Sequence, residues 1–221
     1  MSRLLLKKII PFIKARYAPR GGRVTFSQYG EDLIIKDILQ KKGLPLTYVD
    51  IGAHHPYFGN NTYLLYRHGG RGVLVEPNSA LCTVITDKRR KDVCLNAGVS
   101  KIDGEADFYE FKQSTRSTFS KEQADEHTQN TGQAPKVERK KILSLDSIVA
   151  EHFTDEAPSL VSIDAEGLDI DILSGYSFAM RPAIFCIEIA EGDSEVETLM
   201  KMKGYEMCAR ILQNAIFVDN R

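Results

Sequence analysis

Four carboxylates stand where apolar runs give way to small or polar residues: Asp50 in "YVDIGA", Glu76 in "GVLVEPN", Asp164 in "SLVSIDAEG" and Glu188 in "AIFCIEI". Glu166 follows Asp164 by two residues. An ionised carboxylate only accepts hydrogen bonds, so it can take a proton, hold both hydroxyls of a vicinal diol, or ligate a hard cation. Asp50 puts negative charge beside a turn whose Gly52-Ala53 pair lets a ligand approach the backbone closely. That charge suits a cationic or amine-bearing ligand. Glu76, 26 residues further on, is placed to accept a ribose diol, and Asn96 in "LNAGVS" offers an amide, with its neighbouring backbone, to the amino group of a base.

The turn after Asp50 carries one glycine where a dinucleotide fingerprint carries three, so a pyrophosphate cradle is not expected. An acid near an amine, an acid for ribose and an amide for a base, without a phosphate site, describe S-adenosylmethionine better than NAD. Plainer roles stand beside these. Asp-x-Gly also makes an ordinary turn, and Asp164, Glu166 or Asp169 can cap the helix in "GLDIDIL". Glu188, flanked by apolar residues, fits a cap less well, because burying a carboxylate without a partner is costly. His54 and His55 fall by the cofactor turn and offer an alternative base, whereas His68, His127 and His152 read as surface residues.

These residues need a parallel sheet to position them, and the pattern supplies one. "SQYGEDLIIKDILQKKG" reads as a helix stopped at Gly43; strands at "YVDIGA", "GVLVEPN" and "DVCLNAGVS" then alternate with helical stretches around "NTYLLYRHG" and from Ala80 to Arg90. In such a sheet, ligands bind at the carboxyl edge of the strands. A short strand "ADFYEF" follows, and then a polar stretch, residues 113–141, with almost no aliphatic residues. It reads as a long substrate-side loop or lid, with disorder as the alternative. Beyond it come a capped helix from Leu145, a strand "PSLVSIDAEG", a helix "LDIDILSGYSF", the buried strand "AIFCIEI", and two strands around "QN" that predict an antiparallel hairpin closing the sheet edge.

With 221 residues, 43% hydrophobic and 27% charged, and a formal charge of -1, the chain has the composition of one globular domain and lacks the basic excess of a nucleic-acid binder. Cys82, Cys94, Cys186 and Cys208 show no Cys-x-x-Cys spacing and read as reduced core thiols, which suits the cytoplasm. Residues 1–30 hold seven basic side chains and no acid, leaving 22 basic against 30 acidic residues beyond them. Residues 1–25 therefore read as a basic arm on a domain of residues 26–221. No apolar run in the arm reaches the ~18 residues of a spanning helix. Two readings stand: the arm packs on the domain or on a second subunit as in a homodimer, or it makes peripheral contact with an anionic membrane.

Several spaced motifs resemble one known family, the FkbM-type methyltransferases within the class I S-adenosylmethionine-dependent enzymes. They run from "FSQYGEDLII" through "YVDIGAHHP", "NNTYLLYRHGGRGVLVEPN", "LNAGVS", "LSLDSI" and "SIDAEGLDIDILSGY" to "NAIFVDN". The sequence departs modestly, with histidine at both positions of "AHHP" and Gly70 where the family often has an aromatic. The elements and the resemblance together predict an α/β fold: a Rossmann-like, mostly parallel seven-stranded sheet with helices on both faces and the C-terminal hairpin. The resemblance implies bound S-adenosylmethionine and methylation of a hydroxyl on a sugar, glycan or natural product. It places Asp50, Gly52, Ala53 and His54 along the methionine side, Glu76 and Pro77 at the ribose, and Asn96, Ala97 and Gly98 at the adenine. Gln28, Glu31, Asn61 and Thr62 are secondary cofactor-site candidates.

Transfer from a sulfonium to oxygen requires in-line alignment and removal of the hydroxyl proton. Asp164 is the expected base, with Glu166 and Glu188 as further catalytic candidates. Mg²⁺ held between Asp164 and Glu188 is the alternative chemistry for the same residues. Two other readings of the chain stay open: an NAD-dependent oxidoreductase, and a non-catalytic module in which residues 113–141 hold a partner.

Overall fold

The computed structural model describes residues 23–165, 167–189 and 194–221. Glu166 and residues 1–22 of the arm lie outside the described residues.

Apolar side chains on both faces of each central strand dictate a sheet covered on two sides. Val49 and Ile51, Val73 and Val75, Val161 and Ile163, and Phe185 and Ile187 fill one core; Tyr48, Leu74, Leu160, Ile184 and Cys186 fill the other. This alternation follows the two-residue period of a strand. The strands are β1 (Thr47–Ile51), β2 (Arg71–Val75), β3 (Val93–Leu95), β7 (Leu160–Ile163), β8 (Ile184–Glu188), β9 (Tyr205–Ile211) and β10 (Asn214–Asp219). They form one seven-stranded sheet in the order β3-β2-β1-β7-β8-β10-β9. Pairing is parallel from β3 to β8, and β10 runs antiparallel to both β8 and β9. The predicted Rossmann-like sheet and its closing hairpin are therefore present.

The chain order reverses between β1 and β7, so the carboxyl ends of those strands border the crevice where ligands bind in open parallel sheets. Helices α1 (Glu31–Lys42), α2 (Tyr63–Arg67) and α3 (Ser79–Lys88) connect the first half. Gly43, in the left-handed conformation at φ 65°, ends α1 where the sequence places the stop. Helices α5 (Leu145–His152), α6 (Asp169–Gly175) and α7 (Glu195–Met202) serve the second half. None of the described helices is long and apolar enough to cross a membrane.

Two expectations need correction. "DVCLNAGVS" is not one strand: it breaks at Asn96–Ala97 into β3 and β4 (Gly98–Ser100), and β4 joins a separate three-stranded sheet with β5 (Gly104–Glu110) and β6 (Lys136–Ser144) in the order β4-β6-β5. Nor is the polar stretch 113–141 a loop. It holds a 3₁₀ turn at Ser114–Arg116, helix α4 (Lys121–Thr131) and the first part of β6. Ser120 caps α4 by accepting from the Gln123 N–H, Gly132 ends it, and Ala124 is its buried residue. A helix that buries a single alanine leaves no apolar stripe to read. Cys208 also departs from expectation, standing exposed on the edge strand β9.

Candidate active site

Gly52 begins the turn after β1 with φ 77°, and its Cα packs so closely on the Asp164 carbonyl that a Cβ there would overlap it. Only glycine meets both demands at low cost. The Gly52 and Ala53 N–H groups both donate to the Val75 carbonyl, and the Asp164 N–H donates to the Ile51 carbonyl. Those bonds pin the ends of β1, β2 and β7 around a cavity of about 210 Å³.

Glu76 lines that cavity, as do Pro77, Gly52, His54, Ala97 and Gly98. Glu76 is buried, only 5% exposed. Its carboxylate accepts from the His54 N–H (2.9 Å) and the Asn78 N–H (2.8 Å). Burial pushes its carboxyl up to about 7, against those two backbone donors, which pull it down. Gln28 reaches the cavity from the segment before α1, and Asp164 from the end of β7. Phe108 on β5 and Phe119 from the insert formed by residues 113–141, with ring centroids 4.9 Å apart, supply aromatic wall.

Other expected site residues point elsewhere. Asp50 is buried beneath the turn, where Oδ2 accepts from Thr62 Oγ1 (2.6 Å) and Asn60 Nδ2 (2.9 Å). Burial raises its carboxyl, while Arg89, Thr62 and Asn60 hold it down. Ala53 packs into the core on the α1 side of the sheet. Asn61 donates to Ser162 Oγ (3.1 Å), and Glu31 accepts from Asn214 Nδ2 (2.7 Å) and the Tyr29 N–H (2.9 Å). Asn96 directs its amide to the carbonyls of Glu76 and Pro77 (2.8 and 2.9 Å), so it braces the turn after β2 and does not line the cavity. Glu188 ends β8 opposite Asn214, outside the cavity lining. Asp50, Ala53, Glu31, Asn61, Thr62 and Asn96 thus support the site's frame.

Asp169 begins α6 but does not cap it, since no side chain caps that helix. Its carboxylate accepts from the Ala165 and Gly167 N–H groups, both at 3.2 Å, and so shapes the loop that follows Asp164. Among the described residues no group of three or more His, Cys, Asp or Glu side chains is gathered for a metal ion.

Sequence reasoning missed two features. His54 adopts φ 47° and its Nε2 lies 2.8 Å from Ser114 Oγ, tying the cofactor-side turn to the insert. Burial lowers the His54 pKa, followed by the charge of His55. Arg89, wholly buried, bonds Asp92 (2.8 Å), Asn60, Thr62 and Tyr48 (3.0 Å each) beneath the turn. An arginine just past a helix, in "DKRRKD", gives no local sign that it points inward.

Solved structures that align with this fold include several methyltransferases. A putative caffeoyl-CoA O-methyltransferase from Staphylococcus aureus aligns over 98% of this chain and all of its own, at 10% identity and a TM-score of 0.50. A TehB-like SAM-dependent methyltransferase from Corynebacterium glutamicum aligns over 97% and 96%, at 10% identity and a TM-score of 0.46. The O-methyltransferase from Bacillus cereus in complex with SAH aligns over 99% and 92%, at 11% identity and a TM-score of 0.43. No curated protein matches in sequence. The model of the methyltransferase FkbM domain matches residues 50–207, most of the chain, including the carboxyl ends of β1, β2, β7 and β8. The chain belongs to the FkbM methyltransferase family.

Proposed function

We propose that this protein is an S-adenosylmethionine-dependent O-methyltransferase acting on a hydroxyl of a sugar, glycan or natural product. One observation carries the reading: a single buried carboxylate, Glu76, faces a cavity that joins apolar and aromatic walls to polar side chains such as Gln28, Asn78 and Ser114, and that Asp164 also lines. The residues fit the cofactor. Glu76 accepts the ribose hydroxyls, the apolar walls at Val75, Val99 and Phe108 suit a purine, and the glycines at 52 and 98 leave room for close approach.

When bound, S-adenosylmethionine supplies an electrophilic methyl group on a sulfonium. The protein's part is to hold an acceptor oxygen in line with that carbon and to take its proton. Asp164 is the proposed proton acceptor, its position fixed by the β7 ladder and by Asp169 holding the loop behind it. As an acceptor oxygen took that methyl group, its hydroxyl proton would pass to the Asp164 carboxylate. Alignment contributes up to about 7–11 kcal/mol in ideal cases and a positioned base roughly 10²–10⁴ in rate. Phe108 and Phe119 help exclude water. The four free thiols support a cytoplasmic setting.

Isothermal titration tests the cofactor directly. S-adenosylhomocysteine should bind and NAD should not; the reverse would sink the proposal. Transfer of labelled methyl to an alcohol then separates an enzyme from a binding module.

A further inference from the structure

Thr115, Ser117 and Thr118 line both the cofactor-side cavity and a second cavity of about 300 Å³. Arg116, Gln123, Glu126, His127 and Asn130 complete the second cavity, between the 3₁₀ turn and α4. Every side chain lining it carries a polar group, whereas the neighbouring cavity also has aromatic and aliphatic walls.

Some of these groups are already engaged. Ser117 Oγ accepts from the Phe111 N–H (3.1 Å), and Thr118 Oγ1 donates to Gln123 Oε1 (2.7 Å) while accepting from the Ser120 N–H (3.0 Å). The bond from Thr118 fixes the Gln123 amide so that its Nε2 turns toward Gly167, in the loop after Asp164. His127, far from being a surface residue, is half-buried edge-on against Phe111, with centroids 4.5 Å apart. Among the described residues no hydrogen bond or ion pair engages the side chains of Arg116, Glu126 or Asn130. The cavity therefore presents a donor-only cation, an acceptor-only anion, and two amides that do both.

The geometry points to this cavity as the acceptor subsite, taking a neutral, polyhydroxylated glycosyl unit and presenting one of its hydroxyls toward the Asp164 loop. The inference rests on the methyltransferase reading above and names the acceptor class for it. An apolar or aromatic acceptor would find no apolar side chain lining the cavity. A phosphate or carboxylate would meet a single cation with Glu126 lining the same space, whereas sugar hydroxyls use donors and acceptors alike.

Full-length protein saturated with S-adenosylhomocysteine should be probed by saturation-transfer NMR with the methyl glycosides of glucose, mannose, galactose and rhamnose. At least one should bind. Glu126→Gln combined with Asn130→Ala, both on the exposed side of α4, should weaken that binding roughly tenfold or more while S-adenosylhomocysteine affinity stays within about twofold. Glycoside binding unchanged in the double variant, or absent from the loaded wild type, overturns the subsite alone. Failure of S-adenosylhomocysteine to bind the wild type removes the methyltransferase reading and the subsite with it.

Discussion

Gly52 and Asp164 directly follow the neighbouring strands β1 and β7, and the glycine's missing side chain is the space that the aspartate's carbonyl occupies. The contact sets how closely the cofactor turn approaches the candidate base. Gly52→Ala introduces a Cβ at φ 77° and against backbone that cannot swing away. The left-handed conformation should cost about 1–2 kcal/mol and the overlap about 1–3. Urea denaturation is expected to show a loss of roughly 2–5 kcal/mol, with S-adenosylhomocysteine binding weakened as the turn shifts. A loss well below 1 kcal/mol would contradict the packing.

If Glu76 holds the cofactor's ribose as proposed, cofactor affinity depends on pH. Its carboxyl titrates at about 7 in the fold against an ordinary 4.5, because burial disfavours the charged form. The sign for folding follows: the proton's contribution to stability is fully present below about 4.5 and is lost as pH rises through about 7. Ligand binding runs the other way, since only the ionised group accepts from both ribose hydroxyls. Affinity for S-adenosylhomocysteine should rise between pH 6 and 8. Glu76→Gln keeps the shape, should remove that slope, and should weaken binding at pH 8 about tenfold to a hundredfold. A slope that survives the substitution assigns it to another group.

The sheet was legible because β1, β2, β7 and β8 are apolar on both faces and end in Asp, Glu or small residues, a pattern that few other arrangements produce. The site was legible in part. Glu76, Gly52 and Asp164 line the cavity as their strand-end positions imply, yet Asp50, at the same kind of position, turns its carboxylate to Thr62 and Asn60. Position along a strand sets which edge a residue reaches, while the side chain's direction depends on partners such as Arg89 that are distant in sequence. The insert was illegible for a different reason. Along β6, Lys136, Glu138 and Lys140 form ion pairs with one another, so the strand alternates charge with charge and shows no apolar period.

Arg89 offers a test of that hidden frame. Its guanidinium bonds Asp92 and lies over the rings of Tyr48, Tyr63 and Tyr66 at 5.2–5.9 Å, with both Asp92 and itself shielded from solvent. Arg89→Leu leaves the Asp92 and Asp50 carboxylates without their cation. Breaking a buried pair in this way typically costs about 3–5 kcal/mol. Chemical denaturation should show a loss of that size. If stability is unchanged, the network is not what holds the turn beneath Asn60 and Thr62.

Asp164→Asn separates chemistry from binding, because the amide keeps the shape of the side chain and loses the ability to take a proton. Asp164 reaches the cavity, but the assigned ribose contact is Glu76, on the other side of β1. The variant should therefore bind S-adenosylhomocysteine with nearly wild-type affinity and turn over roughly 10²–10⁴ more slowly with whichever hydroxyl acceptor the wild type methylates. The same acceptor assay distinguishes a base from a metal ligand. If Asp164 and Glu188 hold Mg²⁺, EDTA should abolish wild-type turnover and added Mg²⁺ should restore it; if Asp164 acts directly on the proton, EDTA should leave the rate unchanged. A wild-type rate in Asp164→Asn would remove both roles and direct attention to His54, which lines the same cavity and whose ring burial holds toward the neutral, proton-accepting form.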